Sequence, residues 1–333
     1  MRETIKTKEL KIGMYVVLPG SWFKHPFLTN ELLIKSQEQI DTIIEFGIDE
    51  LAIDPEKGTP VTETESISHG PEAREVTPPK KWDPEKLVPP ELREAIRDKT
   101  LPPQKKSKLV YRHSLQLMER LFEDPKTENI RAAKKGIAEI VDLVISDDAT
   151  SDQLLKITSY DFYTYTHSVN VGVLSILLSK ALFKGSDAHD MHELGAGFFL
   201  HDIGKVRVDP AIINKPGKLT GEEMMKMRTH PYQGYKILSE ADQLTEECKV
   251  IVMQHHERED GTGYPRRLKG DEIHTYGRIG CIADVYDAIT AERSYKLKID
   301  TFHALKIMKE QLLNHFHPDI FERFVLLFAE RMK

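Results

Sequence analysis

From about Lys108 to Lys333, apolar residues recur every three or four positions, and the alternation expected of strands is nearly absent. A stretch this long with a single period can bury its apolar faces only by packing helix on helix, so an all-α bundle is expected there. The predicted helices span 109–123, 127–146, 152–183, 189–202, 221–229, 232–240, 245–256, 276–291, 301–315 and 318–331. Short polar connections join them, and in KPGKLTGEE Thr220 and Glu223 have the spacing of a capping box.

The first 55 residues follow a different pattern. KIGMYVVL (Lys11 to Leu18) has the β-branched and aromatic content of a strand, followed by turn residues in PGSW. Ser36 and Gln39 form a capping-box signature before a short helix with Ile40, Ile43 and Ile44 on one face; Gly47 ends it, and IDELAID resembles a closing strand. Between Pro55 and Pro103 prolines recur among charged and Ser/Thr residues without apolar period, as in a tether with at most a short helix near Glu91 to Arg97. The expected fold class is therefore multi-domain α+β. It comprises a small N-terminal α+β module (1–55), a Pro-rich charged linker (56–104) and an all-α helical bundle (105–333). No internal repeat is visible.

Composition narrows the partners. A formal net charge of -6, with no basic stripe, argues against binding to a nucleic acid polymer. Cys248 and Cys281 both lie in apolar segments and give no disulfide framework, as suits a reducing compartment. The start MRETIKTKELKIG lacks the apolar core of a secretory signal. VNVGVLSILLSKALF (169–183) is short for a membrane span and carries Asn170 and Lys180, so it is expected to be a buried core helix. The expected location is the cytoplasm.

Chemistry concentrates in the helical half. HDIGK (His201 to Lys205) follows the apolar LGAGFFL, where an ionised group needs a partner or a metal. Lys205 lies about one helical turn beyond His201 and Asp202, and Gly204 suggests that the helix loosens there. His230 precedes Pro231, which places its imidazole at a helix junction. HHEREDGTGYP joins His255 and His256 to a loop stiffened by two glycines and a proline. His167 lies inside a helix, and Asp284 sits among Ile282, Ala283 and Val285, where a carboxylate requires a cation. Each feature alone has an ordinary structural explanation; their joint occurrence in one order does not. HDMHE (189–193) follows a polar loop and is expected to be a solvated helix start, while His315 and His317 are expected to be structural. Asp287 is expected to cap or to support a ligand, and Glu257 either orients an imidazole or lies at the surface. No GxSxG elbow, phosphate-binding GxxxxGK[ST] loop or HExxH helix is present.

HDxGK, the helix-junction histidine, HHExxDGxGYP and ADxYDA together make residues 105–333 resemble the HD-GYP family of HD metal-dependent phosphohydrolases. The GYP triplet (Gly263, Tyr264, Pro265) is the specific marker, and the first 60 residues resemble an uncharacterised module that often precedes this domain in bacteria. The resemblance implies metal ligands at His167, His201, Asp202, His230, His255, His256 and Asp284, with Asp202 bridging two divalent metals and Asp284 terminal at one. It also implies a catalytic Lys205 near the scissile phosphate, substrate contacts from Arg293 and Lys296, and Tyr264 at the rim of the site. Members with three metals carry a glutamate four residues before the first histidine. Here that residue is Tyr163, and Asp161 lies off the face of His167, so two metals are expected.

Five neutral imidazoles and two carboxylates around two divalent ions sum to roughly +2, which attracts a phosphodiester anion. Imidazole and carboxylate ligands without thiolate favour iron or manganese, with zinc, magnesium and nickel as alternatives. The family substrate is cyclic di-GMP, opened to pGpG and onward to GMP; cyclic GMP-AMP is the alternative substrate. A non-catalytic receptor would be favoured by loss of a ligand or of Lys205, and neither is lost; the GYP loop argues against a mononucleotide phosphohydrolase. Partners expected for the N-terminal module are a diguanylate cyclase, an adaptor or a second copy of the chain.

Overall fold

The computed structural model describes residues 3–17, 31–34, 37–45, 50–55, 57, 81–157, 164–215, 217–291 and 299–331. Met1–Thr77 with Lys215–Leu219 form one compact unit; Pro78–Asn214 with Thr220–Lys333 form the other.

In the first unit, β1 (Glu3–Lys6), β2 (Tyr15–Val17), β3 (Glu31–Leu33) and β4 (Glu50–Ile53) form one sheet in the order β1-β4-β2-β3. Every neighbouring pair is antiparallel, with Thr4 opposite Ala52, Val16 opposite Ile53 and Tyr15 opposite Leu33. Helix α1 (Gln37–Glu45) follows β3 in the chain. Val16, Ile34, Ile40, Ile43 and Leu51 build a small separate core. The strand expected in KIGMYVVL is β2 and the closing strand is β4; Ser36 and Gly47 lie outside the described residues.

The second unit is helical. Its elements are α2 (Pro84–Leu87), α3 (Pro90–Arg97), α4 (Pro103–Glu123), α5 (Thr127–Ser146), α6 (Asp148–Ile157), α7 (Thr164–Leu182) and α8 (Met191–Leu200). There follow α9 (Pro210–Ile213), α10 (Gly221–Met227), α11 (His230–Glu240), α12 (Glu246–Gln254), α13 (Thr275–Thr290), α14 (Thr301–Gln311) and α15 (Pro318–Arg331). Valine, leucine and isoleucine occupy every side of α7, so only enclosure hides them. It packs against α4, α5, α6, α8, α13 and α15.

One expectation changes. The linker expected over 56–104 does not hold for its C-terminal part. There α2 and α3 pack on α4 and α5, and Leu87, Val88, Leu92 and Ala95 join the main core. Within the stretch expected to be helical over 152–183, α6 (from Asp148) and α7 (from Thr164) are described. Residues 158–163 lie outside the described residues, and with them Asp161 and Tyr163. Among the described residues, no helix is long and apolar enough to cross a membrane.

Candidate metal centre

Helix ends deliver most of the site. Asp190 caps α8 by accepting from the backbone of His192 and Glu193, so HDMHE is a helix start, as expected. Helix α8 ends at His201, and Asp202 leads into a 3-10 turn, Ile203–Arg207. The loosening expected at Gly204 is a tight crossing: any Cβ there would collide with the carbonyl of His230 and the amide of Gly234 on α11. His230 opens α11 with Pro231 beside it, and His255 closes α12 with His256 next in the chain. His167 comes from the first turn of α7 and Asp284 from the middle of α13.

These seven side chains converge. One group is His167, His201 and Asp202; a second is Asp202, His230, His255 and His256, and within each group the ligand atoms lie within 4.8 Å of one another. Asp202 belongs to both. Its Oδ2 is 3.4 Å from Nε2 of both His167 and His201, and its Oδ1 is 3.2 Å from Nε2 of His230. Asp284 touches one member of each group, at 3.0 Å from His167 Nε2 and 3.3 Å from His256 Nδ1. Lys205 Nζ lies 2.5 Å from Asp202 Oδ2.

The imidazoles are set to offer lone pairs inward. Nδ1 of His201 donates to Phe198 O at 2.7 Å, that of His230 to Met227 O at 2.8 Å and that of His255 to Val252 O at 3.0 Å. Carbonyls only accept, so each Nδ1 carries the proton and each Nε2 a lone pair. His230 Nε2 and His255 Nε2 face each other at 3.1 Å, and Asp202 Oδ1 is buried with no hydrogen-bond partner. Facing lone pairs and an orphaned carboxylate oxygen repel one another unless a cation lies between them, so the residues fit divalent metal ions.

Burial opposes charge throughout. Burial pushes His230 down to about 3, despite Asp202, and His255 well below the usual imidazole range. Both are therefore neutral near pH 7, the state a ligand requires. At Asp202 burial is outweighed chiefly by Lys205, and at Asp284 by His256 and His167, so both carboxyls stay well below the usual carboxylate range. His167 is the exception: burial would lower it, but hydrogen bonds to Asp284 and Asp287 hold it up to about 10. Asp287 takes the supporting position expected of it, with Oδ2 at 2.7 Å from His167 Nδ1.

Residues 153–320 match the HD domain family, and residues 2–133 match a domain of unknown function, DUF3391. A cyclic di-GMP phosphodiesterase of Pseudomonas aeruginosa is 34% identical over 330 residues, covering 98% of this chain and 76% of that protein. The chain belongs to the HD-GYP family. A second relative, a 3'3'-cGAMP-specific phosphodiesterase of Vibrio cholerae, is 43% identical over 124 residues, 37% of this chain and 24% of that protein. In fold, an HDG"Y"P protein from Bdellovibrio bacteriovorus superposes with a TM-score of 0.60 at 16% identity, covering 99% of this chain and 100% of that one.

The HD-GYP loop is braced by backbone contacts. Glu257, buried, accepts from the amides of Arg266 at 2.7 Å and Leu268 at 2.9 Å. It thus holds the loop and orients no imidazole, contrary to one of the two roles expected for it; nor does it lie at the surface. A Cβ on Gly263 would stand 2.5 Å from His256 O, because the loop folds straight back over the histidine turn. Tyr264 N donates to that same carbonyl at 3.1 Å, and its ring stacks on His256 with centroids 4.5 Å apart. Burial, with Asp284 and Asp202 nearby, raises the Tyr264 phenol, so it stays protonated. Arg228, unremarked in the sequence, lies over the same ring at 5.2 Å. Arg293 and Lys296 lie outside the described residues.

Proposed function

We infer that this protein is a metal-dependent phosphodiesterase that linearises a cyclic dinucleotide, with cyclic di-GMP the substrate. The observation that carries this reading is one buried carboxylate, Asp202, shared by two groups of imidazole ligands. His167, His201, His230, His255, His256 and Asp284 are proposed as the other ligands. Two divalent ions held there would supply Lewis-acid stabilisation of the attacking and leaving oxygens and lower the pKa of water. Iron or manganese is the proposed pair, since every candidate donor is imidazole nitrogen or carboxylate oxygen.

The chain's own groups complete the site. Lys205, held beside Asp202, supplies a cation where charge grows on the phosphoryl oxygens. Tyr264 presents a protonated phenol and a ring face at the rim. Arg293 and Lys296 are proposed to bind the substrate's phosphates, by their match to the family pattern. Cyclic GMP-AMP is the second reading, favoured by the Vibrio cholerae relative. Pairing of residues 1–55 with a diguanylate cyclase, an adaptor or a second copy is proposed for the N-terminal unit. A cytoplasmic location fits two buried free cysteines and a nucleotide substrate.

The test is anaerobic, Mn(II)- or Fe(II)-replete incubation with cyclic di-GMP and cyclic GMP-AMP, with product identification. Linear pGpG is expected, and His201→Ala with Asp202→Ala should abolish it. Full recovery of both intact cyclic dinucleotides from the metal-loaded wild type would overturn the reading, and turnover of cyclic GMP-AMP alone would replace the substrate.

A further inference from the structure

We propose that Asn170 and Tyr111 are positioning residues of the metal centre: they align Asp287 on His167, and through Tyr111 the DUF3391-matched segment contributes to metal affinity. This rests on the reading of the cluster as a metal site, not on the identity of the substrate.

The contacts form one chain. Asp287 Oδ2 is 2.7 Å from His167 Nδ1, and Asp287 Oδ1 accepts from Asn170 Nδ2 at 2.7 Å. Asn170 Oδ1 accepts from the Tyr111 hydroxyl, also at 2.7 Å. The carboxylate accepts only, which forces the amide to turn its nitrogen toward Asp287 and its oxygen toward Tyr111. The hydroxyl must then donate. All donors therefore point toward Asp287, and reversing any one of them would set two acceptors face to face.

The effect is on one imidazole. With Asp287 accepting from Nδ1, His167 Nε2 is aimed at Asp202 and Asp284, where a bound metal ion would take the place of its proton. Asn170 lies three residues after His167, on the same face of α7, and both Asn170 and Asp287 are 1% exposed. With so little access to water, a lost donor is not replaced by solvent. Tyr111 stands on α4, within the DUF3391 match and outside the HD domain match. The accessory family's segment thus reaches the metal centre through two side chains.

A buried asparagine and carboxylate could equally serve the fold alone, and metal affinity separates the two roles. The experiment uses the full chain, stripped of metal and titrated with Mn(II), alongside thermal melting of the metal-free form. Tyr111→Phe keeps the ring but leaves Asn170 Oδ1 without its donor, so the metal-free melting temperature should fall modestly, and that fall measures the structural role. Its Mn(II) dissociation constant should rise about 2–12-fold, the worth of one hydrogen bond. Asp287→Asn should raise it about 10–100-fold. Adding Tyr111→Phe to Asp287→Asn should raise it no further, because the tyrosine acts through Asp287.

Unchanged Mn(II) affinity in Tyr111→Phe, whether or not its melting temperature falls, overturns the proposal, as does full additivity in the double variant. Wild type that binds no Mn(II) overturns the metal reading and this proposal together. Wild type that binds Mn(II) but cleaves no cyclic dinucleotide sinks only the functional reading, and the affinity series still decides the relay.

Discussion

His230 and His255 each spend Nδ1 on a carbonyl and turn Nε2 to the centre, and burial keeps both neutral. That has a pH signature in the metal-free protein. Unfolding frees His230 to bind a proton at an ordinary value of 6.5, whereas in the fold it resists protonation until about 3. The unfolded chain therefore holds more protons in that window, and stability falls as the pH is lowered through it. His167 runs the other way: its contribution is complete below 6.5 and fades as pH rises through about 10, so it adds no slope on the acid side. The depressed Asp202 and Asp284 contribute fully above 3.8 and are lost only below it. Chelator-treated wild type should lose stability between pH 6.5 and 4, and His230→Leu should lose it less steeply; equal slopes in thermal melts would contradict this.

Gly263 is the second single-position test. Alanine there would press on His256 O and on the backbone of Glu257 and Arg258, so the loop must shift and carry Tyr264 off His256. Turnover should fall at least about tenfold, the scale expected when misplaced groups no longer meet the substrate, while the melting temperature changes little. Wild-type kcat/KM in Gly263→Ala would show that the loop geometry is dispensable. The candidate ligands were legible along the chain through the family motifs they stand in, several of them imidazoles and acids beside apolar runs, where such groups need partners. Asn170 was visible only as a polar residue in an apolar helix; its partner Asp287 lies 117 positions away, so its role was not.

The helices show why a proline-rich stretch can mislead. Pro84, Pro90 and Pro103 each stand in the first turn of a helix, where the missing N–H leaves no hydrogen bond unmade. Pro89 and Pro102 occupy the preceding caps. What looked like a tether is in part a set of helix starts. The apolar residues between, Leu87, Val88 and Leu92, are too few to show a period but enough to pack on α4 and α5. Leu92 is fully buried, so Leu92→Ala should destabilise the helical unit by about 2–5 kcal/mol, read by chemical denaturation. A tether would register no change.

The packing of α2 and α3 on α4 and α5 also sets where the helical unit can be cut. A chain beginning at Pro78 keeps α2 and α3 and should melt cooperatively and bind Mn(II). One beginning at Lys105 lacks both helices, uncovers the apolar faces of α4 and α5 beneath them, and should aggregate or melt without a transition. Light scattering and calorimetry on the two truncations check this; a well-folded chain from Lys105 would refute the packing argument.

Period and punctuation were enough to predict a helical unit following a small α+β module, and the order of the motifs carried the family resemblance that implies the candidate ligands, because each is a local feature of the chain. Which imidazole faces which, that Asp202 joins both groups, that Glu257 braces a loop and that Tyr111 reaches Asp287 depended on packing. Those relations join residues tens to more than a hundred positions apart, and only the directions and distances of a closed core decide them.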